Sequence, residues 1–270
     1  MIRNAGFSVQ KLFCGEKMQE NSGFKKLFPV IAPVPCEEYR KLTVRERVKF
    51  LSHYARQALM ISEQLTVKSY QLSVNSEQLS VISEQLTVNS YQLSVGSEQL
   101  AVGSWQLAEK PGDEHRLYLR DYIRENRELP KDEKGAPLPV KGRYWSVTHK
   151  PDYVGAVVSS QPAGMDIEKI SLRSERLWEK IADNEEKAMI DSGQPESFFR
   201  YWTAKEAVLK AAGTGLTELS QCRIAQVPDA DHLIIRYRNR DWYVEHLRVS
   251  EYIASVVKDR KQVEWHVFPA

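Results

Sequence analysis

The pattern of apolar and polar positions predicts one long helix early in the chain. Thr43-Val44-Arg45-Glu46 matches a capping box, in which the side chains of the first and fourth residues close the start of a helix. Apolar residues then return at helical spacing, at Val44, Val48, Leu51, Ala55 and Leu59. The basic residues of this helix are either a solvated face or contacts for phosphate, and they are Arg45, Arg47, Lys49 and Arg56.

Strand patterns follow further along. Residues 144–148 and 153–159 are predicted strands around a turn at Lys150-Pro151-Asp152, and residues 164–170 are a third strand. A helix is predicted over residues 113–127, before these strands.

The last third of the chain repeats this mixture. A helix is predicted from Pro195 to about Gly213, since proline favours a helix start and glycine a helix end. Three strand-like stretches follow, HLIIRYR, WYVEHLRV and YIASVVKD. We therefore predict an α+β fold of two similar halves in a pseudo-two-fold arrangement. The N-terminal half covers residues 25–160 after a disordered tail over 1–24, and the C-terminal half covers 161–270.

A seven-residue repeat interrupts the N-terminal half over residues 62–110. Its unit is Gln-Leu-x-Val-x-Ser-x, in which Leu and Val are two and five residues apart, whereas a coiled-coil seam requires spacings of three and four. The seven-base unit CAGTTAT, read in triplets, encodes Gln-Leu-Ser-Val-Ile-Ser-Tyr before its frame returns. The repeat is thus either a translated DNA repeat, tolerated as a disordered or weakly structured insertion, or an interaction module.

Composition narrows the class of protein. Apolar residues make up 42% of the 270 residues, charged residues 27%, and the net charge is +2. This balance is typical of a globular domain and gives no basic field for nucleic acid. No apolar run is long enough to span a membrane. Three isolated cysteines and the lack of a signal-peptide pattern favour a reduced cytoplasmic compartment.

Two carboxylates stand out in the stretch GMDIEKI. On a strand, Asp166 and Glu168 share one face while Met165 and Ile167 point into a core. Paired carboxylates suit Mg²⁺, which is typically bound by one or two carboxylates and substrate phosphates. A solvated acidic face is the alternative.

A third carboxylate lies on the predicted helix of PESFFRYWTAKEAVLKAAG. Glu206 falls within the arc of Phe198, Phe199, Trp202 and Leu209, and Lys205 and Lys210 lie at the two edges of that arc. Glu206 and Lys210 could form a surface pair. However, a carboxylate inside an apolar stripe needs a partner such as a metal or a lysine.

His149 follows a strand in the stretch SVTHK. Thr148 and Lys150 flank it, so three donors cluster where a phosphate could bind. A structural role at a strand end is the alternative for this histidine.

Taken together and in this order, S-V-T-H-K, G-M-D-I-E and W-T-A-K-E-A-V-L-K resemble the Sfp-type 4′-phosphopantetheinyl transferases. The helix from Thr43, with Arg56-Gln57-Ala58-Leu59, and the Gly135-Ala136-Pro137 element resemble further parts of that family. The resemblance implies a Mg²⁺-dependent monomer that binds coenzyme A (CoA) between its halves. Such an enzyme transfers the phosphopantetheine arm to a serine of an apo acyl or peptidyl carrier protein and releases 3′,5′-ADP.

The resemblance also implies residue roles. Asp166, Glu168 and Glu206 would bind the metal; Asp166, Glu206 and Lys210 would be catalytic, with Glu206 as the base. Thr148, His149, Lys205 and Arg56 would bind CoA, and a glutamate of Glu185-Glu186 would be a further acidic position.

One departure concerns the site. Ala136 stands where the family often has lysine, and Lys134 or Lys150 would compensate. The alternative function is a catalytically impaired member whose repeat acts as an interaction or aggregation segment.

Overall fold

The computed structural model describes residues 26–74, 117–126, 128–172, 175–190 and 194–269. The tail predicted over residues 1–24 and the repeat from residue 75 to 110 lie outside these ranges.

The first half is a four-stranded sheet covered by one long helix. The long helix is α2 (Val44–Val74), and two short helices lie on either side of it in sequence, α1 (Cys36–Lys41) and α3 (Tyr118–Asn126). Strands β1 (Lys26–Leu27) and β2 (Val30–Pro33) precede the helices, and strands β3 (Tyr144–His149) and β4 (Tyr153–Ser159) follow them. The sheet has the order β11-β2-β4-β3, where β11 (His266–Val267) comes from the C-terminal end of the chain. Apolar residues of α2, among them Leu51, Ala55 and Leu59, pack on this sheet.

The second half is a five-stranded antiparallel sheet with its own long helix. Its strands are β5 (Met165–Lys169), β6 (Arg223–Gln226), β7 (His232–Tyr237), β8 (Arg240–Val249) and β9 (Tyr252–Val257), in the order β5-β9-β8-β7-β6. Its helices are α4 (Glu175–Ile181), α5 (Asn184–Ala188) and α6 (Pro195–Ala212), with a 3-10 turn at Leu216–Gln221. Residues Phe199, Ala204 and Val208 of α6 are buried in this half's core.

The two sheets are joined by a shared apolar cluster. It contains Val157 of the first sheet with Met165, Ile167 and Ala254 of the second. The chain end contributes as well, since β10 (Gln262–Val263) pairs in parallel with β1. A direct hydrogen bond runs from the Met165 backbone N–H to Ser146 Oγ at 3.1 Å. This bond and the shared cluster hold β5 against β3.

Helix α2 runs into the repeat, which corrects the predicted start of the insertion. Ser62 and Glu63 are fully buried within α2. Ser62 Oγ donates to the Phe28 carbonyl at 2.7 Å and accepts from the Val158 N–H at 3.0 Å. The expectation of a disordered or weakly structured segment from residue 62 is therefore wrong for residues 62–74.

Glu63 also holds the start of helix α3 in place. Its two carboxylate oxygens accept the backbone N–H groups of Leu119 and Arg120 at 2.8 and 2.9 Å. These donors belong to the first turn of α3, where helical N–H groups have no partner within the helix. The first copy of the repeat thus caps α3 from a neighbouring helix.

The mixed α+β class and most of the predicted elements are confirmed. The capping box forms, since the Thr43 N–H donates to Glu46 at 2.8 Å and the Glu46 N–H donates to Thr43 at 3.4 Å. The strand predicted over residues 153–159 has those bounds, and α6 begins at Pro195 and ends at Ala212, with Gly213 as its C-cap. Among the described residues, no helix is both long and apolar enough to cross a membrane.

Candidate functional site

Strand β5 presents its two carboxylates on one face, as its alternation predicts. Met165 and Ile167 are fully buried in the shared cluster, and Asp166 and Glu168 point to the opposite side. Asp166 is itself buried, with 1% of its surface exposed. Burying a carboxylate this deeply requires partners that compensate for lost hydration.

Helix α6 brings the third carboxylate to the same place. Asp166, Glu168 and Glu206 each offer an oxygen within 4.8 Å of the others. Pro195 at the first turn and Gly213 in the left-handed conformation (φ 69°) fix the two ends of α6. The sequence therefore delimits the helix that presents Glu206.

A glycine at the start of β5 permits this meeting. A β-carbon built on Gly164 would lie 1.8 Å from the carbonyl oxygen of Ala207, the residue after Glu206. Any side chain at Gly164 would push α6 away from β5. The close approach of the two elements depends on this glycine.

Two lysines neutralise part of the negative charge. Lys210 Nζ lies 2.6 Å from Asp166 Oδ1, 3.2 Å from the Met165 carbonyl oxygen and 3.8 Å from Glu206 Oε2. Lys150 Nζ lies 2.6 Å from Glu168 Oε1, which also accepts the Trp202 indole N–H at 3.3 Å. Thr148 Oγ1 donates to Asp166 Oδ1 at 3.0 Å.

The electrostatics of the cluster act most strongly on Glu206. Burial, followed by the charge of Asp166, raises the pKa of Glu206 to about 7, against the opposing effect of Lys210. The other oxygen of Asp166, Oδ2, is buried and has no hydrogen-bond partner among the described residues. Three carboxylates that each offer an oxygen within 4.8 Å of the others form a donor set that fits a hard divalent cation.

His149 lies at the edge of this cluster, among cations. Desolvation lowers its pKa, and the positive charges of Lys210, Lys150 and Lys131 lower it further. The charges of these three lysines attract an anionic ligand, to which the imidazole N–H could donate a hydrogen bond. Lys131, in the loop before β3, was not among the residues predicted from sequence, because no motif marks it.

One predicted CoA contact, Lys205, has different surroundings from those expected. Lys205 is 2% exposed, and its ammonium pairs with Glu186 Oε1 at 2.7 Å and contacts the Ile181 carbonyl oxygen. It faces the core of the second half because it is one residue, about 100° around the helix, from Glu206. The structure therefore does not bring Lys205, or its partner Glu186, to the carboxylate cluster.

Arg56 lies half-buried on α2, and its charge, after desolvation, helps to lower the pKa of His53. Its role toward CoA stays a prediction. Ala136 packs near the end of α6, since a β-carbon on Gly213 would lie 3.8 Å from Ala136 Cβ. The backbone N–H groups of Lys134 and Ala136 are held by Asp132 Oδ1 at 2.9 and 2.8 Å.

Comparison with known proteins points to one class. Residues 162–257, which include β5 and α6, match the model of the 4′-phosphopantetheinyl transferase superfamily. This part of the chain is therefore similar to that superfamily.

Three curated relatives carry the same description. The 4′-phosphopantetheinyl transferase gsp of Aneurinibacillus migulanus is 30% identical over 111 residues, which cover 37% of this chain and 47% of that protein. A putative 4′-phosphopantetheinyl transferase of Haemophilus influenzae is 27% identical over 154 residues, 52% of this chain and 64% of the relative. HetI of Nostoc, also a 4′-phosphopantetheinyl transferase, is 45% identical over 42 residues, 16% of this chain and 18% of HetI. The chain thus matches between about half and two thirds of the first two relatives.

Proposed function

We propose that this protein transfers the 4′-phosphopantetheine arm of CoA to a serine hydroxyl of an apo acyl or peptidyl carrier protein. The observation that carries the proposal is the meeting of Asp166, Glu168 and Glu206 with Lys210, from two separate motifs, around one unpartnered oxygen. The match of residues 162–257 to the 4′-phosphopantetheinyl transferase superfamily supports the reaction class.

The three carboxylates would hold Mg²⁺. When bound, this ion neutralises negative charge on the diphosphate of CoA. Asp166 is positioned for this role by Thr148 and Lys210, which both contact its Oδ1 and leave Oδ2 unpartnered. Thr148 is therefore better assigned to orienting Asp166 than to binding CoA.

Glu206 and Lys210 carry the proton and the charge of the transfer. The carrier serine oxygen forms a bond to the β-phosphorus of CoA, and the bond from that phosphorus to the oxygen bridging the two phosphates breaks. Glu206 accepts the serine proton, directly or through water, and its pKa of about 7 suits a base at neutral pH. The departing 3′,5′-ADP gains negative charge, which the Lys210 ammonium stabilises.

The remaining basic residues would bind CoA. His149 lies close enough to Lys210, Lys150 and Lys131 for their charges to lower its pKa, so an anionic group placed there meets several cations. We retain His149 and Arg56 as CoA-binding residues, add Lys131, and leave Lys205 out.

The proposal also concerns how the two halves are related and where CoA binds. We propose that residues 25–160 and 161–270 form two related halves, each a sheet with one long helix, and that CoA binds between them in a monomer. The alternative is a catalytically impaired member whose repeat is an interaction segment. It gains no support from the cluster, because each acidic and basic position of the motifs is filled.

The test is product analysis after incubation of the protein with CoA, Mg²⁺ and a panel of apo acyl and peptidyl carrier proteins. Equal amounts of 3′,5′-ADP and modified carrier are expected, and neither is expected in EDTA. Release of 3′,5′-ADP without modified carrier would mean CoA hydrolysis and would refute the transfer. No product from folded protein with any carrier would favour the impaired member.

A further inference from the structure

Lys150 makes a close ionic contact with Glu168. Its Nζ is 2.6 Å from Glu168 Oε1, and both side chains are largely buried, with 29% and 16% of their surfaces exposed. At this distance an ammonium cancels much of the attraction that a carboxylate exerts on a second cation. Lys150 therefore acts on the same carboxylate that is proposed to bind Mg²⁺.

The other lysine of the cluster contacts its carboxylate differently. Lys210 and Thr148 both contact Oδ1 of Asp166, so Oδ2 remains available to a metal. Lys210 is also held by the Met165 carbonyl oxygen at 3.2 Å. A metal at Asp166 is thus compatible with Lys210 staying in place.

The side chain of Lys150 can move away from Glu168 while its backbone stays in place. Its backbone is fixed, because its N–H donates to the Tyr153 carbonyl at 2.7 Å and closes the turn between β3 and β4. Its side chain is a flexible four-carbon chain, and 29% of the side-chain surface is exposed. The turn itself is anchored at Asp152, which accepts hydrogen bonds from Tyr252 and Cys36.

We propose that Lys150 is an internal counter-ion that competes with the divalent cation for Glu168. The inference rests on the proposed function. It assigns Lys150 two positions, one on Glu168 in the metal-free protein and one on a substrate phosphate when the metal is bound. Because a diphosphate offers the displaced ammonium a new partner, metal and diphosphate bind cooperatively through Lys150.

The test measures affinity for Mn²⁺ alone at pH 8, by electron paramagnetic resonance of the free ion, in the wild-type chain, Lys150→Met and Lys150→Gln. The matched control is Lys169→Met, which removes an exposed lysine paired with Glu251 at 3.1 Å and with Asp152 at 3.7 Å. Both Lys150 variants are expected to bind Mn²⁺ about tenfold more tightly than wild type, since a nearby positive charge is lost. Lys169→Met is expected to stay within about twofold, because exposed charges are screened.

The outcomes separate two failures. If wild type binds Mn²⁺ and neither folded Lys150 variant binds more tightly, the competition is refuted while the metal site stands. If wild type and all three variants fail to bind Mn²⁺, the metal site of the proposed function is refuted together with this inference. Circular dichroism of each variant establishes that it is folded. Two substitutions of Lys150 are used so that the test can still be made if one of the variants does not fold.

A second measurement tests whether the Lys150 ammonium moves from Glu168 to a phosphate of CoA. CoA affinity is measured by calorimetry in Mg²⁺ and in EDTA for wild type and Lys150→Met. Mg²⁺ is expected to increase CoA affinity by a factor that is roughly three times larger, or more, in wild type than in Lys150→Met. The reason is that only wild type has an ammonium that can move from Glu168 to a phosphate. An equal gain in both proteins would refute the second position of Lys150.

Discussion

Lys205 and Glu206 are consecutive on α6, yet their side chains belong to different parts of the molecule. The Lys205 ammonium is buried against Glu186 in the core of the second half, at 2.7 Å. The Glu206 carboxylate meets Asp166 and Glu168 on the other side of the helix. The W-T-A-K-E motif thus joins one structural ion pair to one candidate catalytic group.

This arrangement predicts that Lys205 supports stability rather than CoA binding. Replacing it in Lys205→Met leaves Glu186 buried without its cation, which costs about 3–5 kcal/mol of unfolding free energy. Urea unfolding measures the loss, and CoA titration of the folded protein is expected to give an unchanged Kd.

A double substitution provides the control for this pair. Lys205→Met with Glu186→Gln should lose less stability than the sum of the two single variants, because neither charge is then left alone. A weakened CoA Kd at unchanged stability in Lys205→Met would restore the role first predicted for this lysine.

Gly164 is predicted to be required for the carboxylate cluster. In Gly164→Ala the added methyl group would overlap the Ala207 carbonyl oxygen, so α6 must shift, at a cost of about 1–3 kcal/mol. Mn²⁺ affinity should fall with stability, because Glu206 moves away from Asp166. Gly135→Ala is the control: its added carbon meets no atom within 4 Å, so backbone strain at φ 83° should lower stability without changing Mn²⁺ affinity. Equal Mn²⁺ affinity in the wild type and Gly164→Ala would contradict this view of the glycine.

Cation affinity is predicted to depend on pH through Glu206. Burial, followed by the charge of Asp166, raises its pKa to about 7, so below pH 7 the group is protonated and must lose a proton to bind a cation. Affinity for Mg²⁺ should therefore rise as pH increases, by about tenfold per unit below pH 7, and level off near pH 8. Calorimetry from pH 6 to 8.5 measures this profile.

Two variants test the assignment of the proton. Glu206→Gln should bind Mg²⁺ weakly and without the step near pH 7. Glu196→Gln, on the first turn of the same helix, should keep the wild-type profile. A step that persists in Glu206→Gln would assign the titration to another group.

The repeat is predicted to be dispensable only beyond its first copy. From Glu63 to the end of α2 at Val74 is about 17 Å along the helix axis, and residues 111–116 can span about 20 Å. Deletion of residues 76–110 should therefore leave enough chain to reach α3, with unfolding free energy within about 1 kcal/mol of the full chain. Deletion of residues 62–107 should prevent folding, because it removes Ser62 and Glu63.

A point variant isolates the contribution of the cap. Glu63→Ala leaves the Leu119 and Arg120 N–H groups without their acceptor, and it should cost about 1–3 kcal/mol in urea unfolding. Gln64→Ala, at a half-buried position of the same helix, is the control and should cost less. Stable folding of the 62–107 deletion would show that the first copy is not part of the structure.

Local patterns predicted the elements well. The capping box at Thr43, the proline and glycine that bound α6, and the alternation in GMDIEKI depend on neighbouring residues, and each is visible in sequence. The carboxylate cluster was also predictable, because Asp166 and Glu168 share a strand face and Glu206 stands in an apolar stripe.

Contacts between distant segments were not predictable in the same way. Periodicity placed Lys205 at the edge of an arc but did not show that Glu186, nineteen residues earlier, would bury it. The role of Ser62 and Glu63 was not visible in sequence, because the same Ser-Glu-Gln-Leu segment recurs later in the repeat and their partners Phe28 and Leu119 lie far away along the chain. The Lys150–Glu168 pair likewise depends on the packing of β3 against β5.

The most direct test of the central claim is the intact mass of an apo carrier protein after incubation with CoA and Mg²⁺, for wild type and Glu206→Gln side by side. The account predicts that wild type adds one phosphopantetheine arm to the carrier and that Glu206→Gln, folded to the same extent, adds none in the same time. A carrier modified equally by both proteins would contradict the role of Glu206 and of the cluster it completes.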